Sequence, residues 1–140
     1  MMRHLWFVCL LGLVACSSRP KTPQEPTRLV GQKITIDDQT IRQGGSDTVR
    51  FGHLFEGETA VLPLVVENDS SQPIVIVRVE RSCGCTTLDF ENQPIKSGEA
   101  RGAKLSFDAS GTRGWQLKMV TLHLAEGAKP HKLFVEAEVE

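Results

Sequence analysis

An all-β chain, folded as an antiparallel sandwich of seven to eight strands, is what this sequence predicts. Short segments with apolar residues at every second position recur from Lys33 onward, as strands with one buried face require. Gly, Pro, Asn and Asp clusters punctuate them about every 8 to 15 residues, the chemistry of turns. Past the first residues, no window keeps a 3.6-residue apolar period over three turns.

The chain opens on a different pattern. Arg3 precedes the uncharged apolar run Leu5–Ala15, which is far below the ~20 residues of a membrane-spanning helix. It ends in small residues, as a cleavable export signal does. Leu13-Val14-Ala15-Cys16 resembles a bacterial lipobox, cut before a cysteine whose sulfur then carries diacylglycerol. The plainer alternative is an ordinary secretory signal with an incidental Cys16. The expected organisation is therefore a signal over 1–15, lipidated Cys16 heading a tether over 16–32, and a sandwich over 33–140. Pro20, Pro23 and Pro26 lie in a stretch without large apolar residues. Such a segment cannot offset its ordering entropy by burial, and its extended geometry would hold the domain roughly 30 Å from the bilayer. Ser17 and Ser18 resemble the signal for outer-membrane sorting, and no acidic cluster follows Cys16. The expectation is an outer-membrane-anchored lipoprotein in the periplasm, with the membrane as its first partner.

The strands follow in order. Lys33–Ile36 is a short alternating first edge strand, and Gly44-Gly45 interrupts the chain before Thr48–Gly52. Glu58–Glu67 places Ala60, Leu62, Leu64 and Val66 on one face. Pro63, lacking a donor, predicts an edge or a bulge there, and an edge offers a route for partner association by strand addition. Asn68–Pro73 is turn chemistry before the β-branched run Ile74–Val79. Cys83–Phe90 alternates loosely, Pro94–Glu99 is a loop, and Ala103–Phe107 is a strand. Gly111–Gly114 turns into Gln116–Leu124, and Lys132–Val139 closes the sheets. A domain of this length buries roughly two-thirds of its unfolded surface, enough for stability without a disulfide.

Composition narrows the function classes. The net charge is −1, and loss of Arg3 with the signal takes it to −2. No basic excess is present to recruit nucleic acid. Of four cysteines, Cys9 leaves with the signal and Cys16 takes the lipid. Cys83 and Cys85 remain, in an oxidising compartment where thiols pair or need a reason to stay free.

That pair is the candidate thiol or metal site, and three fates are open to it. In an extended strand the two side chains share a face, but two residues rise about 6.6 Å. A disulfide needs Cβ atoms about 3.5–4.5 Å apart, so pairing requires a bend at Gly84. Parallel thiolates could instead hold Cu(I). Otherwise the sulfurs are small apolar packing groups. Structural zinc needs four ligands, and His53, His123 and His131 stand in separate segments as surface histidines. Met119 next to a strand core reads as packing. Glu99 and Asp108 are loop or strand-end carboxylates, Asn68 with Asp69 forms a turn, and Trp115 is a plug at a sandwich end or an exposed contact for a partner or glycan. No nucleophile elbow, phosphate-cradling glycine loop or His-Glu-x-x-His helix occurs.

Phe51-Gly52, Glu56-Gly57-Glu58, Asn68, Ser82-Cys83-Gly84-Cys85-Thr86, Pro94-Ile95, Gly98-Glu99, Phe107-Asp108 and Gly114 occur in one order. In that order the chain resembles the bacterial domain-of-unknown-function 1573 family, over Thr48 to Val139. Ser-Cys-Gly-Cys-Thr is the most specific element. Ser97 departs from the family's usual proline and removes some loop rigidity. The resemblance implies an immunoglobulin-like sandwich on an exported or lipid-anchored chain. It implies no catalytic residue, so the expected function is a non-enzymatic binding or scaffolding module facing an envelope protein. The alternative is a thiol-redox or copper(I)-handling protein acting through Cys83 and Cys85.

Overall fold

The computed structural model describes residues 29–125 and 127–140. The expected signal over 1–15, Cys16 and most of the expected tether over 16–32 lie outside them. Eight strands and one short helix run in the order β1 (Gln32–Asp37), α1 (Asp38–Gln43), β2 (Gly45–Leu54), β3 (Thr59–Asp69), β4 (Ile76–Arg81), β5 (Thr86–Phe90), β6 (Ala100–Asp108), β7 (Gly114–Leu124) and β8 (His131–Val139). They form two four-stranded sheets, β1-β3-β6-β5 and β2-β8-β7-β4. The expected sandwich is present.

Alternation makes the core. In β6, Ala103, Leu105 and Phe107 point inward, and in β8 Leu133, Val135, Ala137 and Val139 do the same. Ile34, Ile36 and Leu64 join them from β1 and β3, facing Val49, Val120 and Leu122 of the other sheet. Full burial of each Val, Leu, Ile or Phe contributes about 1.5–3 kcal/mol, an upper figure because the unfolded chain is partly compact. The Phe51 and Phe107 rings meet between the sheets with centroids 5.9 Å apart.

Three features depart from the expectation. Two of the six pairings, β1 with β3 and β2 with β8, are parallel, and the other four are antiparallel. Both parallel partners are reached only after the chain has visited the opposite sheet, so no hairpin fixes their direction. Periodicity reports the strand and leaves its neighbour open. The strand bearing Pro63 is interior where β1 pairs with it from Leu64 onward, and open on that side only along Thr59–Pro63. The third feature is α1. One helical turn is too short for a periodic signal, but its ends are marked. The Asp37 side chain accepts from the Thr40 N–H, and Gly44 closes the turn at φ 85°. That bond to Thr40 holds the Asp37 carboxyl below its ordinary value.

The chain crosses from β3 to β4 around Asn68, which is fully buried. Its Nδ2 donates to the carbonyls of Gln72 and Ile95, both at 2.8 Å. Its Oδ1 accepts from the Ser70 N–H and hydroxyl at 3.0 and 2.6 Å. The main chain adds Asn68 N–H to Glu99 O and Gly98 N–H to Asn68 O. The expected turn begins two residues later, at Ser70, because Asn68 and Asp69 still pair with β1 as the end of β3, and a saturated amide organises it.

Candidate functional site

The Ser82–Thr86 motif is the second crossing. β4 ends one sheet and β5 ends the other, and the five residues carry the chain between these outer strands. Ser82 is bonded to β7 on two counts: its N–H donates to Met119 O, and its hydroxyl accepts from the Met119 N–H, each at 2.8 Å. On the far side the Cys85 carbonyl accepts from the Asp108 N–H at 2.8 Å, and the Arg81 guanidinium reaches Thr86 O at 3.0 Å.

Between these clamps Cys83 and Cys85 are joined as a disulfide, with Cα atoms 5.2 Å apart. The chain bends as pairing demands, shortening the extended separation. Gly84 makes the bend without a left-handed φ, and a Cβ built on it meets nothing within 4 Å. Cys83 is half-buried, and Cys85 packs against the core, so the packing alternative describes one sulfur in part. In the closed disulfide neither sulfur is a thiolate. Copper(I) ligation therefore requires prior reduction.

The histidines and carboxylates do not converge on the cysteines. No group of three or more potential metal ligands occurs among the described residues. His53 lies inside β2 and not in a turn, exposed and 3.6 Å from Glu140. His123 lies on the outer face as expected, its Nε2 2.8 Å from Glu80. Hydrogen bonds from His123 and then Arg78 hold the Glu80 carboxyl below its ordinary value. His131 corrects the surface expectation. It is 2% exposed, with Nε2 2.8 Å from Asp47 Oδ2 and Nδ1 unpartnered. Asp108 is held low by the side chain and N–H of Ser110, while Glu99 accepts from the Lys96 N–H. Both serve their loops.

Trp115 overturns the plug reading, since it is 62% exposed. It stands on the outer face of β2-β8-β7-β4, opposite Glu138 of β8, with His53 opposite Glu138 on the other side. The next row holds Arg50, Glu136 and Leu117. Arg50 and Glu136 pair at 2.9 Å, and Leu117 is 46% exposed. Leu117 and Glu138 were not among the sequence candidates, though a signal existed. Trp115, Leu117 and Met119 occupy the phase opposite core-facing Val120, Leu122 and Leu124, so this strand carries apolar residues on both faces.

The profile of the family described as "Protein of unknown function (DUF1573)" matches residues 43–139. No curated protein matches. A solved protein of unknown function from Porphyromonas gingivalis W83 is similar, with 18% identity and a TM-score of 0.52 over 65% of this chain and 44% of that one. This chain thus spans less than half of that protein, and the likeness concerns the fold. The ASH/PapD-like domain 7 of human CEP192 is similar at 12% identity and a TM-score of 0.47, covering 66% of this chain and 80% of that one. PbICP-C, solved in complex with falcipain-2, is similar at 10% identity and a TM-score of 0.42, over 79% of this chain and all of that one.

Proposed function

The chain belongs to the domain-of-unknown-function 1573 family, and from that premise we propose that it is a lipid-anchored periplasmic module that works by binding, with no catalysis of its own. One observation carries the reading. Trp115 and Leu117 present adjacent apolar surface to solvent on an open sheet face, where an aromatic anchor is the commonest energetic centre of an interface. The lipobox supports the location: Cys16 takes the acyl group, Pro-rich sequence spaces the domain, and the partner is an envelope protein reached from the outer membrane. Two measurements test this. Metabolic palmitate labelling is expected in wild type and absent in Cys16→Ser, with the labelled chain in the outer-membrane fraction. A photo-crosslinking residue at Leu117 is expected to give one discrete envelope adduct. An unacylated cytosolic chain, or no adduct, overturns the reading.

The disulfide at a half-exposed turn favours a second reading, thiol-redox or copper(I) handling through Cys83 and Cys85. Thiol titration with and without reductant and Cu(I) separates the two. Sulfurs that neither exchange nor bind copper when reduced leave the binding module alone.

A further inference from the structure

The outer face around Trp115 carries a charge arrangement as well as apolar surface. A depression of about 160 Å³ is lined by Trp115, Glu138, His53, Arg50 and Gly52, among others. Its ions are unequally satisfied. Arg50 is taken by Glu136 at 2.9 Å. His53 approaches Glu140 at 3.6 Å. The Glu138 carboxylate has no hydrogen-bond or ion-pair partner among the described residues, although it lies in the middle of the row. The lining holds two carboxylates, Glu136 and Glu138, against one arginine, Arg50, so this part of the face is complementary to positive charge.

Trp115 and Glu138 are directly opposed across an antiparallel pair, which sets their Cβ atoms about 4.5–5.5 Å apart. A cation over an indole is attracted within about 6 Å of the ring centre. A guanidinium or ammonium stacked on Trp115 would therefore also meet the Glu138 carboxylate. A neutral ligand could use the ring but would leave that charge uncompensated. Leu117 lies two residues further along β7 on the same face. That spacing, about 6.6 Å, is the spacing of alternate side chains in an extended chain.

Resting on the binding-module reading, we propose that the Trp115–Glu138 notch receives an arginine or lysine side chain from an extended segment of a partner protein. Leu117 takes the apolar side chain two residues along that segment. The register thereby reads basic, any residue, apolar.

The probe is a capped glycine-serine peptide carrying arginine and leucine two positions apart, added to the full chain with Trp6→Phe. The chain has two tryptophans, so Trp115 is then the sole indole. The expected result is a saturable change in indole emission that weakens with salt. Glu138→Gln, at a solvent-facing position and checked for folding by circular dichroism, should weaken binding roughly three- to tenfold. Citrulline in place of arginine should do the same to wild type. Equal binding of the citrulline peptide, no effect of Glu138→Gln, or no saturation overturns the proposal. So does saturation by chitotetraose in place of the peptide, which would mark a glycan platform. A crosslinked adduct at Leu117 with any of these results would sink the cationic partner and leave the binding module standing.

Discussion

The chain changes sheets at both ends of β4, and the two crossings are built from different bonds. At the β3–β4 end the support is non-covalent and buried: the Asn68 amide makes four hydrogen bonds, to Ser70, Gln72 and Ile95. At the β4–β5 end it is covalent and half-exposed, a disulfide spanning one residue. Intuition ranks the covalent bond first, but the magnitudes reverse that order. A cross-link stabilises mainly by restricting the unfolded chain, and so short a loop restricts little, about 1.5 kcal/mol on the chain-entropy account. Each buried group stripped of its hydrogen-bond partner costs about 1–3 kcal/mol, and Asn68 serves several.

Asn68→Ala is accordingly the most damaging change. It should destabilise the fold by about 3 kcal/mol or more, measured by urea denaturation. A loss no larger than that of the disulfide variant would reverse the ranking of the crossings. The double variant Cys83→Ser/Cys85→Ser, or reduction of wild type, should cost about 1.5 kcal/mol and leave the far-ultraviolet circular dichroism unchanged.

Glycine sharpens the contrast. Gly98, whose N–H donates to Asn68 O, has φ +77°, a conformation that costs an L-residue roughly 1–2 kcal/mol. Gly98→Ala should lower the unfolding free energy by that amount, measured by urea denaturation. Gly84→Ala should change it by no more than about 0.5 kcal/mol, because Gly84 has no left-handed φ and open space around it. A large Gly84→Ala penalty would show that the motif's glycine serves the fold.

The smallest effect lies between the crossings, on β4. The Glu80 carboxyl is lowered from its ordinary 4.5 by its bonds to His123 and Arg78. A depressed folded-state value means a contribution complete above the unfolded value and lost as pH falls through the folded one. The melting temperature of wild type should therefore exceed that of Glu80→Gln at pH 7, and the gap should close as pH falls below 4.5 and through the lowered folded value. Solvent exposure keeps the gap small. A gap that widened in acid would remove the hydrogen bonds as its cause.

All eight strand segments of the sandwich were legible, because alternation and turn chemistry are written residue by residue. Asn68 was readable as a turn former but not as a buried hub, since the carbonyls it holds belong partly to Ile95. Alternation placed His123 outward. His131 was misplaced because nothing local shows that Asp47, on the strand beside it, will cover its ring. Trp115 failed for a related reason. Next to a glycine turn, an aromatic residue looks the same whether it caps the core or faces water.

What the chain determined by itself was therefore everything carried by near neighbours: strand positions, breaks, and two thiols on either side of a glycine. The tertiary structure decided the parallel neighbours of β1 and β2, the burial of His131, the exposure of Trp115 and the closing of Cys83 onto Cys85. The parallel pairs and the Asp47–His131 contact join segments distant in sequence within one sheet, Trp115 lies on a face that no strand covers, and the cysteines close where the chain passes between the sheets, none of which local alternation encodes.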